Sequence, residues 1–153
     1  CMDIICIVNT ESRKKLSDFI QELLENEKKG TLGAITTFTG VVRDKTSEGQ
    51  DITYMDIECD KDMAEKYFNR LISELKSKYP EIITTGVQHV YGRLSPGEEI
   101  LHVVVVSSHR KEAFLAVAEF MDRMKREAPI WKKEIWADGE KWVENPETGD
   151  IHG

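Results

Sequence analysis

Ile100 to Val106 is an almost unbroken apolar run. A strand with one wet face alternates apolar and polar residues, whereas a continuous run demands cover on both sides. The chain must therefore supply apolar layers for two faces of a sheet, with this segment near the sheet's middle. His102 is the one polar residue in the run, and at such a place it is expected to satisfy a local hydrogen bond.

Helical stripes provide that cover. Ser12 to Lys29 carries Leu16, Phe19, Ile20, Leu23 and Leu24 at helical spacing, with Gly30 as its stop. Asp60 to Tyr79 carries Met63, Tyr67, Leu71, Ile72 and Leu75 and ends before Pro80. Lys111 to Glu127 is the third helix. Met2 to Val8, Leu32 to Arg43, Asp51 to Cys59 and Ile82 to Tyr91 read as further strands. Leu32–Arg43 and Asp51–Cys59 are expected to pair across a mobile polar loop, Asp44 to Gln50. Gly40 allows a bulge inside the first of them. Asp138-Gly139, between Trp131–Ala137 and Glu140–Glu144, signals a hairpin. The tail from Asn145 to Gly153 is expected to be loosely ordered. Together these predict an α+β fold. It is one domain over residues 1–153, with a mixed or antiparallel sheet, packed helices (α/β-hammerhead-like) and a C-terminal β-hairpin.

The chain has 153 residues, 40% hydrophobic and 32% charged, a balance that fits a soluble globular domain. Its formal net charge of −7 argues against nucleic-acid binding by bulk electrostatics but leaves room for a local basic pocket. No apolar run approaches the roughly 20 residues that span a bilayer, and no signal-peptide pattern begins the chain. A cytoplasmic setting is the expectation.

Lys125 is the most informative ionisable residue. On a helical projection it shares a face with Phe114, Val117, Ala118 and Met121, the face expected to be buried. A lysine there snorkels to water, complements the negative end of the helix dipole for roughly 0.3–1 kcal/mol, or sits dried in a pocket for chemistry. Lys132 and Lys133 lie on a strand and face opposite ways, so at most one can join Lys125. Ser108-His109-Arg110 stands where the apolar strand gives way to a helix. Free N–H groups and the dipole suit an anion there, and Arg110 adds a planar fork; an exposed Arg on a capped helix is an equal reading. Arg43 closes the run Phe38 to Arg43 and offers a second anion contact, against the plainer reading of a surface residue. Cys1, Cys6 and Cys59 are odd in number and lack C-x-x-C spacing, and the four histidines lack ligand spacing. Neither a disulfide framework nor a metal site is indicated. Cys59 as a sulfur relay is outweighed by Cys59 as a packing residue.

These segments together resemble the large, catalytic subunit of molybdopterin synthase. The residues that carry the likeness are Phe38-Thr39-Gly40-Val41-Val42-Arg43, then His89, Gly92, Leu94 and Pro96-Gly97-Glu98. His109-Arg110, Ala113-Phe114, Asp122 and Lys125 follow, then Pro129-Ile130-Trp131-Lys132-Lys133-Glu134 and Trp142-Val143-Glu144. The likeness spans roughly Ile4 to Asn145, and the order and spacing of its parts carry its weight. Three departures stand out: Ile57 to Asp62 before Met63-Ala64-Glu65, Val90 after His89, and Asn145-Pro146 where some relatives carry a pocket arginine.

The resemblance implies a sulfurtransferase that converts cyclic pyranopterin monophosphate (precursor Z) into molybdopterin by building its dithiolene. It implies a small ubiquitin-like carrier whose C-terminal Gly-Gly thiocarboxylate supplies the sulfur. A homodimer would form the core of a heterotetramer. No cofactor is implied. Lys125 is then catalytic with Lys132 in support, and Arg43, His109 and Arg110 line an anion and pterin pocket. The alternative from another class is a noncatalytic module that binds a phosphorylated metabolite and regulates a partner.

Overall fold

The structure is a computed structural model that describes residues 2–143. Cys1, Glu144 and the tail from Asn145, with the Asn145-Pro146 departure, lie outside the described residues. Seven strands form one sheet: β1 (Ile4–Asn9), β2 (Ala34–Val41), β3 (Tyr54–Cys59), β4 (Ile82–Leu94), β5 (Glu99–Ser107), β6 (Ile130–Trp136) and β7 (Gly139–Trp142). The helices are α1 (Leu16–Leu24), α2 (Lys61–Lys78) and α3 (Arg110–Glu127). The main path is β2-β5-β4-β3-β6-β7. All its pairings are antiparallel, while β1 runs parallel to β4, so the sheet is mixed as expected.

The apolar run is β5, which lies between β2 and β4 and is buried from Ile100 to Ser107. Its cover comes from both sides. Phe19 and Leu23 of α1 pack with Val104 and Val106, and α2 and α3 supply Phe68, Leu71, Ala113, Ala116 and Phe120 against Val103 and Val105. Phe68 and Phe120 stack with centroids 5.8 Å apart and rings 3° from parallel, tying α2 to α3. His102 meets its expected local bond, with Nδ1 2.9 Å from the Thr39 hydroxyl.

β4 organises the rest. One edge pairs with β5; the other pairs with β1 from Gly86 to Tyr91 and with β3 from Gly92 to Leu94. The change of neighbour falls at Gly92, whose φ of 104° suits glycine.

Three expectations are corrected. The strands β2 and β3 do not pair: β2 bonds only β5, and β3 bonds β4 and β6. Sequence adjacency suggested a hairpin, but both edges of β3 are taken by partners far along the chain. The segment between them is tied down. Thr46 is buried, and the backbone closes through Thr46 N–H to Gln50 O and Ile52 N–H to Asp44 O, both 2.8 Å. The first helix is shorter than its apolar stripe suggested, because Lys14 donates its N–H to the Gln88 side chain at 3.0 Å and holds the preceding chain extended. Gly40 does mark a bulge, where the β2–β5 register shifts.

Candidate functional site

α3 is turned differently from its sequence projection. Its buried residues are Ala113, Ala116, Phe120 and Met124, while Phe114 is 60% exposed. Small alanines let the helix backbone approach the sheet closely, which outweighs burying the larger Phe114. Lys125 is therefore not on the buried stripe; it is exposed at the last turn. The drying expected of it falls on Lys132 instead.

Lys132 projects from β6 on the same face as Ile57 of β3, its register partner. Lys133, beside Asp56 in the register, faces the other way and lies 4.7 Å from the Trp142 ring. The expected split between the two lysines is realised, with Lys132 pointing inward. Its nitrogen is packed round by protein although part of the side chain stays accessible. Desolvation, then the charges of Lys125 and Arg43, push its pKa below the usual lysine value. The structure thus gathers Arg43 from the end of β2, Lys125 from α3 and Lys132 from β6.

His89 of β4 adjoins this group. It is 2% exposed, and burial followed by the Lys132 charge lowers its pKa to about 3, so it is neutral at physiological pH. The family pattern included His89 but gave it no role; nothing in its spacing signalled that the Lys132 charge would act on it.

No carboxylate neutralises the three cations: among the described residues, Arg43, Lys125 and Lys132 form no ion pair or hydrogen bond. Two acidic groups nearby are committed elsewhere, while Glu134, two residues along β6 from Lys132, is 8% exposed and makes no hydrogen bond or ion pair among the described residues. Glu127 accepts from the Tyr67 hydroxyl at 2.9 Å and from Arg123 at 3.3 Å. Asp56 takes both ends of the Arg93 guanidinium at 2.7 and 2.9 Å. A cluster of positive charge inside a chain of net charge −7 has the electrostatics to attract an anion.

His109 and Arg110 do not join it. Ser107 at the far end of β5 pairs with Ala34, whereas Arg43 follows the β2 end that pairs with Glu99. Eight strand steps of about 3.4 Å separate the two ends, about 27 Å. The 15 steps of α3 from Arg110 to Lys125 give about 22 Å at about 1.5 Å each. The five residues expected in one pocket thus form two groups within one chain. His109 is exposed and paired to Glu81 at 3.0 Å; Arg110 is exposed at the first turn of α3. Cys59 packs against the core at the end of β3, and burial raises its thiol pKa, which disfavours the reactive thiolate. Among the described residues no cluster suits a metal ion. None of the described helices is long and apolar enough to cross a membrane.

A shallow depression of about 430 Å³ near Asp3, Asn69 and Lys76 lies outside this group, and its lysine is already paired to Asp3 at 3.2 Å.

Relatives of known kind share this arrangement of sequence. A molybdopterin synthase catalytic subunit of Yersinia pestis is 38% identical over 119 residues, covering 78% of each chain. One of Pyrococcus abyssi is 36% identical over 140 residues, covering 91% of this chain and 90% of its own. The crystal structure of molybdopterin synthase from Staphylococcus aureus superposes with a TM-score of 0.81 at 32% identity, over 94% of this chain and 99% of that one. The model of the MoaE protein family matches residues 9–127, and with relatives this similar over most of their length, the chain belongs to the MoaE family.

Proposed function

We propose that this chain transfers sulfur from the C-terminal thiocarboxylate of a small ubiquitin-like carrier to cyclic pyranopterin monophosphate, building the dithiolene of molybdopterin. The single observation that carries the reading is the trio Arg43, Lys125 and Lys132 at the meeting of β2, α3 and β6, which has no acidic partner among the described residues. Both reactants are anionic: one brings a phosphate, the other a thiocarboxylate.

The chemistry follows from what each group offers. The sulfur nucleophile arrives with the carrier, so the chain needs no reactive cysteine. The thiocarboxylate sulfur attacks a side-chain carbon of the pterin and displaces the oxygen bonded there, which leaves with a proton; water then cleaves the carbonyl–sulfur bond, leaving a carboxylate on the carrier and sulfur on the product, and a second carrier repeats the step for the second sulfur. Negative charge grows on the carbonyl oxygen during that cleavage. Lys125 touches the reacting groups and stabilises this charge. Lys132, drier and with its pKa lowered, exchanges a proton more readily than an ordinary lysine. Arg43 supplies the planar fork for phosphate oxygens.

His109 and Arg110 enter the reading through a second copy. Lying at the opposite end of α3, they reach the same substrate only from the other protomer of a dimer. A twofold dimer with one carrier at each end makes the heterotetramer expected for this family. The setting is cytoplasmic.

The test is reconstitution. The chain is mixed with a thiocarboxylated carrier and precursor Z, and dithiolene product is measured. Product formation that vanishes in Lys125→Ala, with carrier binding retained, is the expected result. Carrier binding without product in the unmutated chain overturns the catalytic reading, and metabolite binding with no affinity for the carrier points to a regulatory module.

A further inference from the structure

Arg43 stands just past the bulge at Gly40, where the regular β2–β5 register shifts. Its side chain has no hydrogen bond or ion pair among the described residues, so its direction comes from the backbone that carries it. The neighbours on both sides are anchored. Val42 donates its N–H to the Glu98 carbonyl oxygen at 2.9 Å, and its own carbonyl oxygen accepts the Gly97 N–H at 2.8 Å. The Asp44 carbonyl oxygen accepts the Ile52 N–H at 2.8 Å. Val42 is also buried in the core, at 4% exposure.

The partner of Val42 is thus the turn at residues 95–98, which joins β4 to β5. The Glu98 carboxylate closes that turn. Its Oε2 accepts the Ser95 N–H at 2.6 Å, while the Glu98 N–H donates back to the Ser95 carbonyl oxygen at 3.1 Å. Its Oε1 accepts from Arg13 Nη2 at 3.1 Å. Arg13 Nη1 donates to the Glu99 carbonyl oxygen at 2.8 Å, so one guanidinium straddles the end of the turn and the start of β5.

Arg13 is itself held through the next residue. The Lys14 N–H donates to Gln88 Oε1, and the Lys14 carbonyl oxygen accepts from Gln88 Nε2, both at 3.0 Å. Gln88 is 1% exposed on β4. Bonded contacts therefore lead without a break from the buried sheet to the residue before Arg43, through Gln88, Lys14, Arg13, Glu98 and Val42. The Ser95 N–H, and then the Arg13 guanidinium, hold the Glu98 carboxyl below its ordinary value against the opposing effect of burial.

We infer that Arg13 and Glu98 are positioning residues for Arg43: together they lock the turn at residues 95–98, which grips Val42 and so aims the Arg43 guanidinium at the substrate phosphate. This rests on the proposed role of Arg43, while the brace itself can be tested without substrate. The Arg13 and Glu98 side chains are 25% and 32% exposed, so the ion pair adds little to overall stability. Its value is geometric. A guanidinium displaced by about 1 Å loses its two-pronged fit to phosphate, which can cost up to about a hundredfold.

Amide hydrogen exchange reads the brace directly. In Glu98→Ala the Val42 and Gly97 N–H groups should exchange about tenfold faster relative to Val104 of central β5. Unchanged relative protection at Val42 overturns the proposal. Equilibrium binding of cyclic pyranopterin monophosphate reads the consequence. Glu98→Ala should bind it about tenfold more weakly. Arg13→Ala, which keeps the Ser95 contact, should bind it about threefold more weakly, and carries the comparison alone if Glu98→Ala does not fold. In an Arg43→Ala background neither change should weaken binding further, because the aimed group is gone. Equal further losses there would mark a general destabilisation and reject the positioning role. An unmutated protein with no affinity for the pterin refutes the proposed function and the aim at phosphate with it, while exchange at Val42 still decides whether the brace exists.

Discussion

Replacing Lys132 by methionine should make the protein more stable and inactive at once. Methionine has a similar length and no charge, so it fills the slot without the cost of a dried ammonium beside Lys125 and Arg43. The folded-state pKa of Lys132 lies below its unfolded value, so over that interval the unfolded chain binds the extra proton and stability rises with pH. Below the folded pKa the whole penalty is present; above the unfolded pKa it is gone. At neutral pH the substitution therefore removes a standing cost of about 1–2 kcal/mol, the usual return on relieving one strained functional position. For a chain of 153 residues, each kcal/mol moves the melting temperature by roughly 2–4 °C, so a rise of about 2–8 °C is expected at pH 7. The gain should shrink as the pH is raised toward the lysine range. Calorimetry at several pH values reads both effects, and the reconstituted assay should show no product. A variant that melts at or below the parental temperature at pH 7, or whose gain grows with pH, refutes the claim that Lys132 is held dry against its own charge.

Other consequences can be checked independently. His89 titrates at about 3 when folded against about 6.5 when unfolded, so stability should fall as pH drops through that window, by about 1.4 kcal/mol per pH unit for this one proton. His89→Gln should flatten part of the acid limb in urea melts, and an unchanged slope would count against a neutral buried ring. Arg110→Ala and Lys132→Ala should each be inactive alone. Mixed as exchanging dimers they should recover roughly a quarter of parental activity, because half the dimers are mixed and each has one intact site; no recovery would refute the two-protomer site. Gly33→Ala should cost about 3 kcal/mol or more, because a Cβ there would lie 1.6 Å from the Ser108 carbonyl oxygen at the junction into α3. A denaturation midpoint close to the parent's would show that the junction relaxes easily.

Much of the fold could be read in advance because its signals are local. The unbroken β5 run, the Asp60 side chain that caps α2 at Met63 N–H, and the Asp138-Gly139 turn each declare themselves within a few residues. What could not be read was long-range choice. Nothing near Tyr54 says that β3 prefers β4 and β6 to β2, since that pairing is decided by what else fills the sheet. The rotation of α3 was misjudged for a related reason: hydrophobicity favours burying Phe114 and Leu115, whereas close packing against β2 and β5 favours Ala113 and Ala116. The same error moved the dry lysine from Lys132 to Lys125. For His109 and Arg110, the resemblance named the residues but could not say that one chain holds them apart.

α3 also serves as a spacer of fixed length and phase. Its two ends display different cations, and every residue between them advances the helix by about 1.5 Å and turns it by about 100°. One residue inserted between Ala116 and Met124 would leave Arg110 where it is and swing Lys125 away from Arg43 and Lys132. The exposed tip, residues 47–50, of the connection between β2 and β3 should absorb insertions that this helix cannot. Length variation among functional versions of this chain should therefore collect in such connections and spare the 18 residues from Arg110 to Glu127.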